Sequence, residues 1–274
     1  MSATEASSQP MPVSTPSRAR RAFWSGSGAG SRWLGAGIAL ALIMVLWFFL
    51  AEHLRPWVPG PLQTFQVMGR ELASADLYRD VLVTWERLLL AFLASTLIGT
   101  VIGIAIGLDK RVEAFFQPLL ALMLAVPDPV YIIFAILGLG TGEMAGLVAL
   151  TLAVMPFVAN IVRTSVQARD TSLDEMARVY QVRRWRIFTS TLLPQLVPAL
   201  ITAGRFSFAL SWKIVILVEA LAQPTGIGAR IYNDFSMLRM SEAFAVAIMF
   251  TVLMQIVERV VLRQLESRAL RWRS

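Results

Sequence analysis

Residues 88–108 read LLLAFLASTLIGTVIGIAIGL, a run without a single charge that is closed by Asp109-Lys110-Arg111. At 1.5 Å per residue, a helix of this length crosses the ~30 Å hydrocarbon core of a bilayer. A helix on a water-soluble domain needs only an apolar stripe, with polar residues on the opposite face. A run that is apolar all round implies lipid as the solvent.

Working outward, the same reading applies to Trp33–Ala51, Ala114–Leu139, Met144–Ile161, Leu196–Leu221 and Ala243–Leu262. The expectation is an all-α polytopic membrane protein with about six transmembrane helices. The third run carries Pro127 and Pro129, which disrupt a helix and free carbonyls. Residues 52–83, with Pro56, Pro59 and Pro61, are expected to form an exposed loop containing a short amphipathic helix. Residues 1–32 are rich in Ser, Pro, Ala and Gly and read as a disordered tail. Residues 33–265 form the membrane domain, and 266–274 a basic tail. The first run is too long for a signal-peptide core and reads as an uncleaved span.

The net charge is +7, and its distribution explains it better than nucleic acid does. Of the 25 basic residues, 17 fall in the two tails and in the loops after the second and fourth spans, all on one face. Six (Arg55, Arg70, Arg79, Arg87, Arg230, Arg239) fall on the other, and Arg205 and Lys213 lie within the fifth span. The positive-inside rule then places both termini in the cytoplasm.

Several chemistries are excluded. There are no cysteines, and the one histidine, His53, follows a span and reads as a polar interfacial residue. No phosphate-binding G-x-x-x-x-G-K-[ST] loop occurs, and Gly140-Thr-Gly-Glu143 is only a short turn. The chain therefore holds no cofactor of its own, and any ATP with its Mg would be bound by another chain. An intramembrane enzyme would need clustered nucleophiles or metal ligands that are missing. An ATP-independent channel or facilitator is the alternative.

Gly99, Gly103 and Gly107 form a small-residue ridge on the second span, serving either packing within the chain or a dimer seam. Residues 171–194 read TSLDEMARVYQVRRWRIFTSTLLP. Ser172-Leu-Asp-Glu175 fits a capping box, in which the Ser172 hydroxyl and the Glu175 carboxylate satisfy free helix N–H groups. Leu173, Met176, Ala177 and Tyr180 follow at helical spacing and give a short helix one apolar face. That face must bury either on the chain's own spans or in the groove of a partner.

This segment resembles the EAA loop of ABC importer permeases, E-A-A-x3-G-x9-I-x-L-P. Without gaps, Glu175, Met176 and Ala177 align with E-A-A, Gln181 with the glycine, Thr191 with the isoleucine, and Leu193-Pro194 with the last pair. Thr84-x-x-Arg87, Phe92, Pro127, Gly138-x-Gly140, Gly204-Arg205, Trp212, Glu219 and Gly226-Ile-Gly228 resemble the nitrate/sulfonate/taurine-type permeases. The likeness covers residues 84–265. Ala91 and Ile133 depart from a usual Gly and Pro. Gln181 departs from a glycine that lets the chain turn left-handed; either the two helices run on, or the turn is strained.

The resemblance implies a type I importer permease that forms the solute pathway by alternating access. Its implied partners are two cytoplasmic ABC ATPase subunits, a second permease and an extracytoplasmic solute-binding protein. Residues 172–190 would couple to the ATPases, with Ser172, Leu173, Glu175, Met176, Ala177, Tyr180, Gln181 and Pro194 as the residues concerned. The expected solute is a small organic or inorganic anion such as sulfonate, taurine or nitrate, or a related small nutrient. Intramembrane charges are functional candidates because lipid exposure is expensive. Asp128, Arg205, Lys213 and Glu219, with Tyr131 and Trp212, are the candidates for pathway lining or buried pairing.

Overall fold

The structure, a computed structural model, describes residues 29–269. The expected N-terminal tail to residue 28, and the last five residues of the C-terminal one, lie outside the described residues. Those described form helices and connecting turns, without strands.

Residues Met1–His53 form a unit of their own. Its helix α1 (Ala29–His53) carries large apolar side chains, among them Leu34, Leu42, Val45 and Phe48, exposed on all sides. The His53 ring stacks on Phe49 and its Nδ1 lies 3.0 Å from the Phe49 carbonyl. It thus closes the last turn, where carbonyls have no intrahelical donor.

The second unit, Leu54–Ser274, holds the remaining helices. They are α2 (Pro61–Glu71), α3 (Ala75–Leu108), α4 (Lys110–Ala125), α5 (Asp128–Leu139) and α6 (Glu143–Gln167). Then follow α7 (Ser172–Val179), α8 (Arg184–Ile187), a π-helical turn (Phe188–Leu192), α9 (Leu193–Ala222), α10 (Ile227–Ser236) and α11 (Met240–Ala269). Five helices, α1 among them, are long and apolar enough to cross a membrane, and the bent pair α4–α5 makes a sixth. The expected loop at 52–83 is mostly helical. Asp76 and Asp80 begin a helix that continues into the apolar run, so α3 starts thirteen residues before Leu88.

Helix α6 is the axis of this unit. Ala145, Ala149, Ala153, Val154, Val158, Val162 and Val166 are all buried along it. The glycine ridge packs here: a Cβ on Gly99, Gly103 or Gly107 would come within 2.7, 2.8 or 2.6 Å of Val158, Val162 or Val166 respectively. Of the two uses open to the ridge, the structure shows packing of α3 against α6 within the chain. A second cluster joins Leu77 and Leu88 of α3 to Phe208 and Trp212 of α9, Ile227 of α10, and Val246, Phe250 and Met254 of α11.

The third span is not one helix. Its two halves, α4 and α5, meet at 101°. Pro127 has no N–H to give the Met123 carbonyl four residues earlier. The Tyr131 hydroxyl donates to that carbonyl instead, at 2.7 Å. Glu113 on α4 accepts from Gln167 at the C-terminal end of α6, at 2.6 Å, whereas α5 leads into the N-terminal end of α6 at Glu143. The pair therefore runs from the C-terminal end of α6 to its N-terminal end, as a broken span.

Candidate functional site

Two polar assemblies lie at opposite ends of α6 and α9. The first is the segment around α7. Thr171 precedes the helix, and its carbonyl accepts the Glu175 N–H at 3.0 Å. The cap is Asp170: its Oδ1 accepts the Ser172 N–H at 2.9 Å. This corrects the expected capping box, because Ser172 is already the first helical residue and its N–H needs an acceptor from before the helix. The Ser172 hydroxyl, then the Ser172 N–H, hold the Asp170 carboxyl below the usual carboxylate range. The Asp170 N–H donates to Gln195 Oε1 on α9 at 3.1 Å, tying the start of the segment to the next span.

The other end of α7 closes as a Schellman motif. Gln181 adopts φ 52°, and the Val182 N–H returns to the Ala177 carbonyl at 3.0 Å. Of the two outcomes open for Gln181, the chain takes the left-handed turn, with a residue that bears a Cβ. Beyond it, Trp185 stacks on Phe188 with ring centroids 5.7 Å apart, and Pro194 sits in the first turn of α9.

The apolar face of α7 is bare. Met176 is 56% and Tyr180 77% exposed, Leu173 and Val179 are also exposed, and Ala177 is half-buried. Of the two burials open to this face, packing on the chain's own spans does not occur among the described residues.

The second assembly is centred on Arg87 of α3. Its Nε and one terminal nitrogen grip Glu143 at 2.8 and 2.5 Å. The other terminal nitrogen donates to Glu219 at 2.9 Å and to the Thr225 carbonyl at 2.6 Å. Glu219, on α9, is fully buried. Its second oxygen accepts from the Thr84 hydroxyl and the Gly228 N–H, each at 2.9 Å. Thr84 in turn accepts the Ile227 N–H at 2.9 Å. Burying a carboxylate is tolerable when both its oxygens are hydrogen-bonded and a guanidinium faces it. Gly226 has φ +106°, and a Cβ there would collide with the Glu219 carboxylate.

Five residues that the sequence singled out separately, Thr84, Arg87, Glu219, Gly226 and Gly228, thus meet in one cluster. Glu143 and Thr225 complete it and were not singled out; Glu143 lay in what read as a short turn. Among the other candidates, Trp212 is buried and donates through Nε1 to Glu258 of α11 at 3.2 Å. Lys213 is exposed, with its ammonium 5.6 Å from the Trp212 ring centroid, and Arg205 is exposed on α9. Asp128 opens α5, where a negative charge suits the helix N-terminus. None of these joins the Arg87 cluster. No group of three His, Asp or Glu side chains among the described residues is placed to hold a metal ion.

A family model described as binding-protein-dependent transport system inner membrane component matches residues 64–271. A Bacillus subtilis (strain 168) protein named for aliphatic sulfonates transport is 25% identical over 246 residues, covering 88% of each chain. The taurine transport system permease protein of Escherichia coli (strain K12) is 23% identical, covering 85% of this chain and 87% of its own. The nitrate import permease protein of a Synechocystis strain is 24% identical, over 75% and 78%. Among solved structures, an amino acid ABC transporter chain aligns with a TM-score of 0.58 at 18% identity, covering 70% of this chain and 93% of that one. A chain of an inward-facing methionine ABC transporter aligns with a TM-score of 0.52 at 21% identity, over 66% and 93%. These structural likenesses establish the fold.

Proposed function

Because the chain belongs to the family of inner membrane components of binding-protein-dependent transport systems, we propose that α7 is the element through which it is driven by two cytoplasmic ATPase subunits. The observation that carries this reading is an apolar face held ready by caps at both ends yet left unburied by its own chain. A face with Met176 and Tyr180 in water is costly unless something covers it, at roughly 25 cal/mol per Å² of apolar surface. A groove on an ATPase is the cover that the family supplies. The end of the molecule bearing α7 is then cytoplasmic, and both termini lie on that side. Closure of the ATPases on nucleotide moves α7 as a lever. The α3–α6–α9 bundle carries that movement across the membrane and switches the pathway from inward- to outward-facing, a rigid-body change between two states.

The chain supplies the path and no nucleotide site, so ATP and Mg belong to the ATPase subunits. A second permease subunit completes the path, and an extracytoplasmic binding protein delivers the solute. Relatives named for aliphatic sulfonates, taurine and nitrate support a small anion of that kind as the solute. The test is Met176→Arg in the reconstituted complex. Binding-protein-stimulated ATP hydrolysis should be lost while the chain stays folded, since the side chain is exposed. Hydrolysis at the wild-type rate would remove α7 from the coupling route.

A further inference from the structure

Within the span of α9, Glu219 is balanced by Arg87, and two further charges stand there, Arg205 and Lys213. Along the helix Ala203, Ser207, Ile214 and Val218 are buried, whereas Thr202, Arg205, Phe206 and Lys213 are exposed. At 3.6 residues per turn the first four fall on one side of α9 and the second four on the other. The buried side meets α3 and α6. The Ser207 hydroxyl lies 3.3 and 3.1 Å from those of Ser95 and Thr96. Ile214 and Val218 join the core that contains Val154 and Val158. The open side carries two cations and, among the described residues, no anion.

Lys213 lies six residues before Glu219, about 9 Å further from the C-terminal end of α9 at the helical rise. Side chains tilt toward the N-terminus of their helix, so the ammonium is carried away from the nearer end of the span. It rests over the Trp212 ring, 5.6 Å from the centroid, and makes no ion pair among the described residues. Glu258 of α11 accepts from Trp212 Nε1 at 3.2 Å instead. An ammonium at this depth is costly against lipid, and such charges face protein or a water-filled cavity.

We propose that Lys213 faces the solute path, where it draws a small anion through the membrane and rejects cations. This rests on the importer reading, which supplies a second permease across the path and an anionic solute. A fixed charge in a water-filled gap between low-dielectric walls concentrates its counter-ion there. Arg205, about two turns nearer the α7 end, extends the same potential along the path. Trp212 is the positioning residue. Its ring is fixed by Glu258 and favours a cation over its face.

The experiment uses charged thiol reagents, because the chain has no cysteine of its own. Ala209→Cys sets a thiol one helical turn from Lys213 on the open side. The probes are a methanethiosulfonate bearing a sulfonate and one bearing a trimethylammonium group. The complex with its ATPase subunits is labelled in nanodiscs, with and without ATP and vanadate, and the label is read as mass added to this chain. Both reagents should react. The ratio of the sulfonate rate to the ammonium rate should fall about tenfold in Lys213→Gln and be kept in Lys213→Arg. A ratio unmoved by Lys213→Gln, or a thiol that neither reagent reaches in either state, overturns the assignment. If Ala209→Cys does not accumulate, Leu217→Cys, one turn to the other side, serves in its place. Reactivity that changes with nucleotide keeps the importer reading whatever the ratio does. A charge-sensitive ratio that is the same in both states leaves Lys213 on the path and brings down the ATP-driven switch.

Discussion

The two ends of the membrane bundle are built from opposite materials. At the α7 end, the contacts that shape the segment are local: Asp170 to Ser172, Val182 to Ala177, Trp185 to Phe188. Its apolar side chains are bare and its cap carboxylate lies in water. At the Arg87 end most contacts join residues distant in the chain, Arg87 and Thr84 to Glu219 across more than 130 positions and Arg87 to Glu143 across 56, the central carboxylate is fully buried, and every hydrogen bond is charge-assisted or made to backbone. A segment shaped locally keeps its form while its surroundings change. A cluster satisfied mainly by distant partners forces those partners to move together. The contrast fits a lever at one end and a clamp at the other.

The sharpest way to break the comparison is to remove the clamp. Arg87→Met leaves Glu219 buried without its cation, and breaking a buried pair costs about 3–5 kcal/mol. The chain in nanodiscs should unfold at markedly lower temperature. Adding Glu219→Gln should recover part of the loss, because the uncompensated charge goes while the amide oxygen still accepts from Thr84 and Gly228; strict additivity of the two changes would refute the coupling. Glu143→Gln is the control inside the cluster. That carboxylate is 66% exposed, so the loss should stay below about 1 kcal/mol. Next in size is Gly226→Ala, which sets a Cβ against the Glu219 carboxylate at a positive φ. About 2 kcal/mol or more of stability should go, judged from strain of this kind, and the same thermal melt reads it.

The lever was far more legible in the sequence than the clamp, and the reason is the same locality. Capping, helical periodicity and the left-handed position at Gln181 all act over a few residues. Even there the cap was misplaced by two positions, because Asp170 and Ser172 are both good capping residues and periodicity alone cannot choose between them. The apolar runs gave the spans, since length against bilayer thickness is a one-dimensional argument. Pro127 and Pro129 marked the break in the third span, but the 101° bend depends on how α5 packs against α6. Each motif residue of the clamp could be picked out, yet nothing in one sequence says that Arg87 meets Glu219. Glu143 and Thr225 belong to no pattern that could have drawn attention to them.

A smaller effect sharpens the lever. Gln181 holds φ 52° where glycine would carry no Cβ penalty. Gln181→Gly should stabilise the turn by about 1 kcal/mol if strain relief dominates. Slower amide exchange at Tyr180 and Val182, whose N–H groups close the motif, would register it. Faster exchange would mean that the entropy of the unfolded segment outweighs the strain.

The smallest effect is the slope of local stability with pH, and here the two ends should differ in sign. Asp170 is held low by its bonds to Ser172, so its contribution is present above the unfolded pKa and is lost as pH falls through the folded value. Asp234, on α10, is pushed up by burial, with Glu242 and Glu71 adding to the effect and Arg239 and Arg230 opposing it. Its contribution is present below the unfolded pKa and is lost as pH rises through the folded one. Acidification across the carboxylate range should therefore loosen the amides that begin α7 and tighten those that close α10. Hydrogen exchange read at Glu175 and Arg239, whose N–H groups bond Thr171 and Asp234, measures both in one sample. Slopes of the same sign would mean that one of the two carboxylates does not govern its helix end. Asp170→Asn and Asp234→Asn, each flattening only its own slope, would identify which.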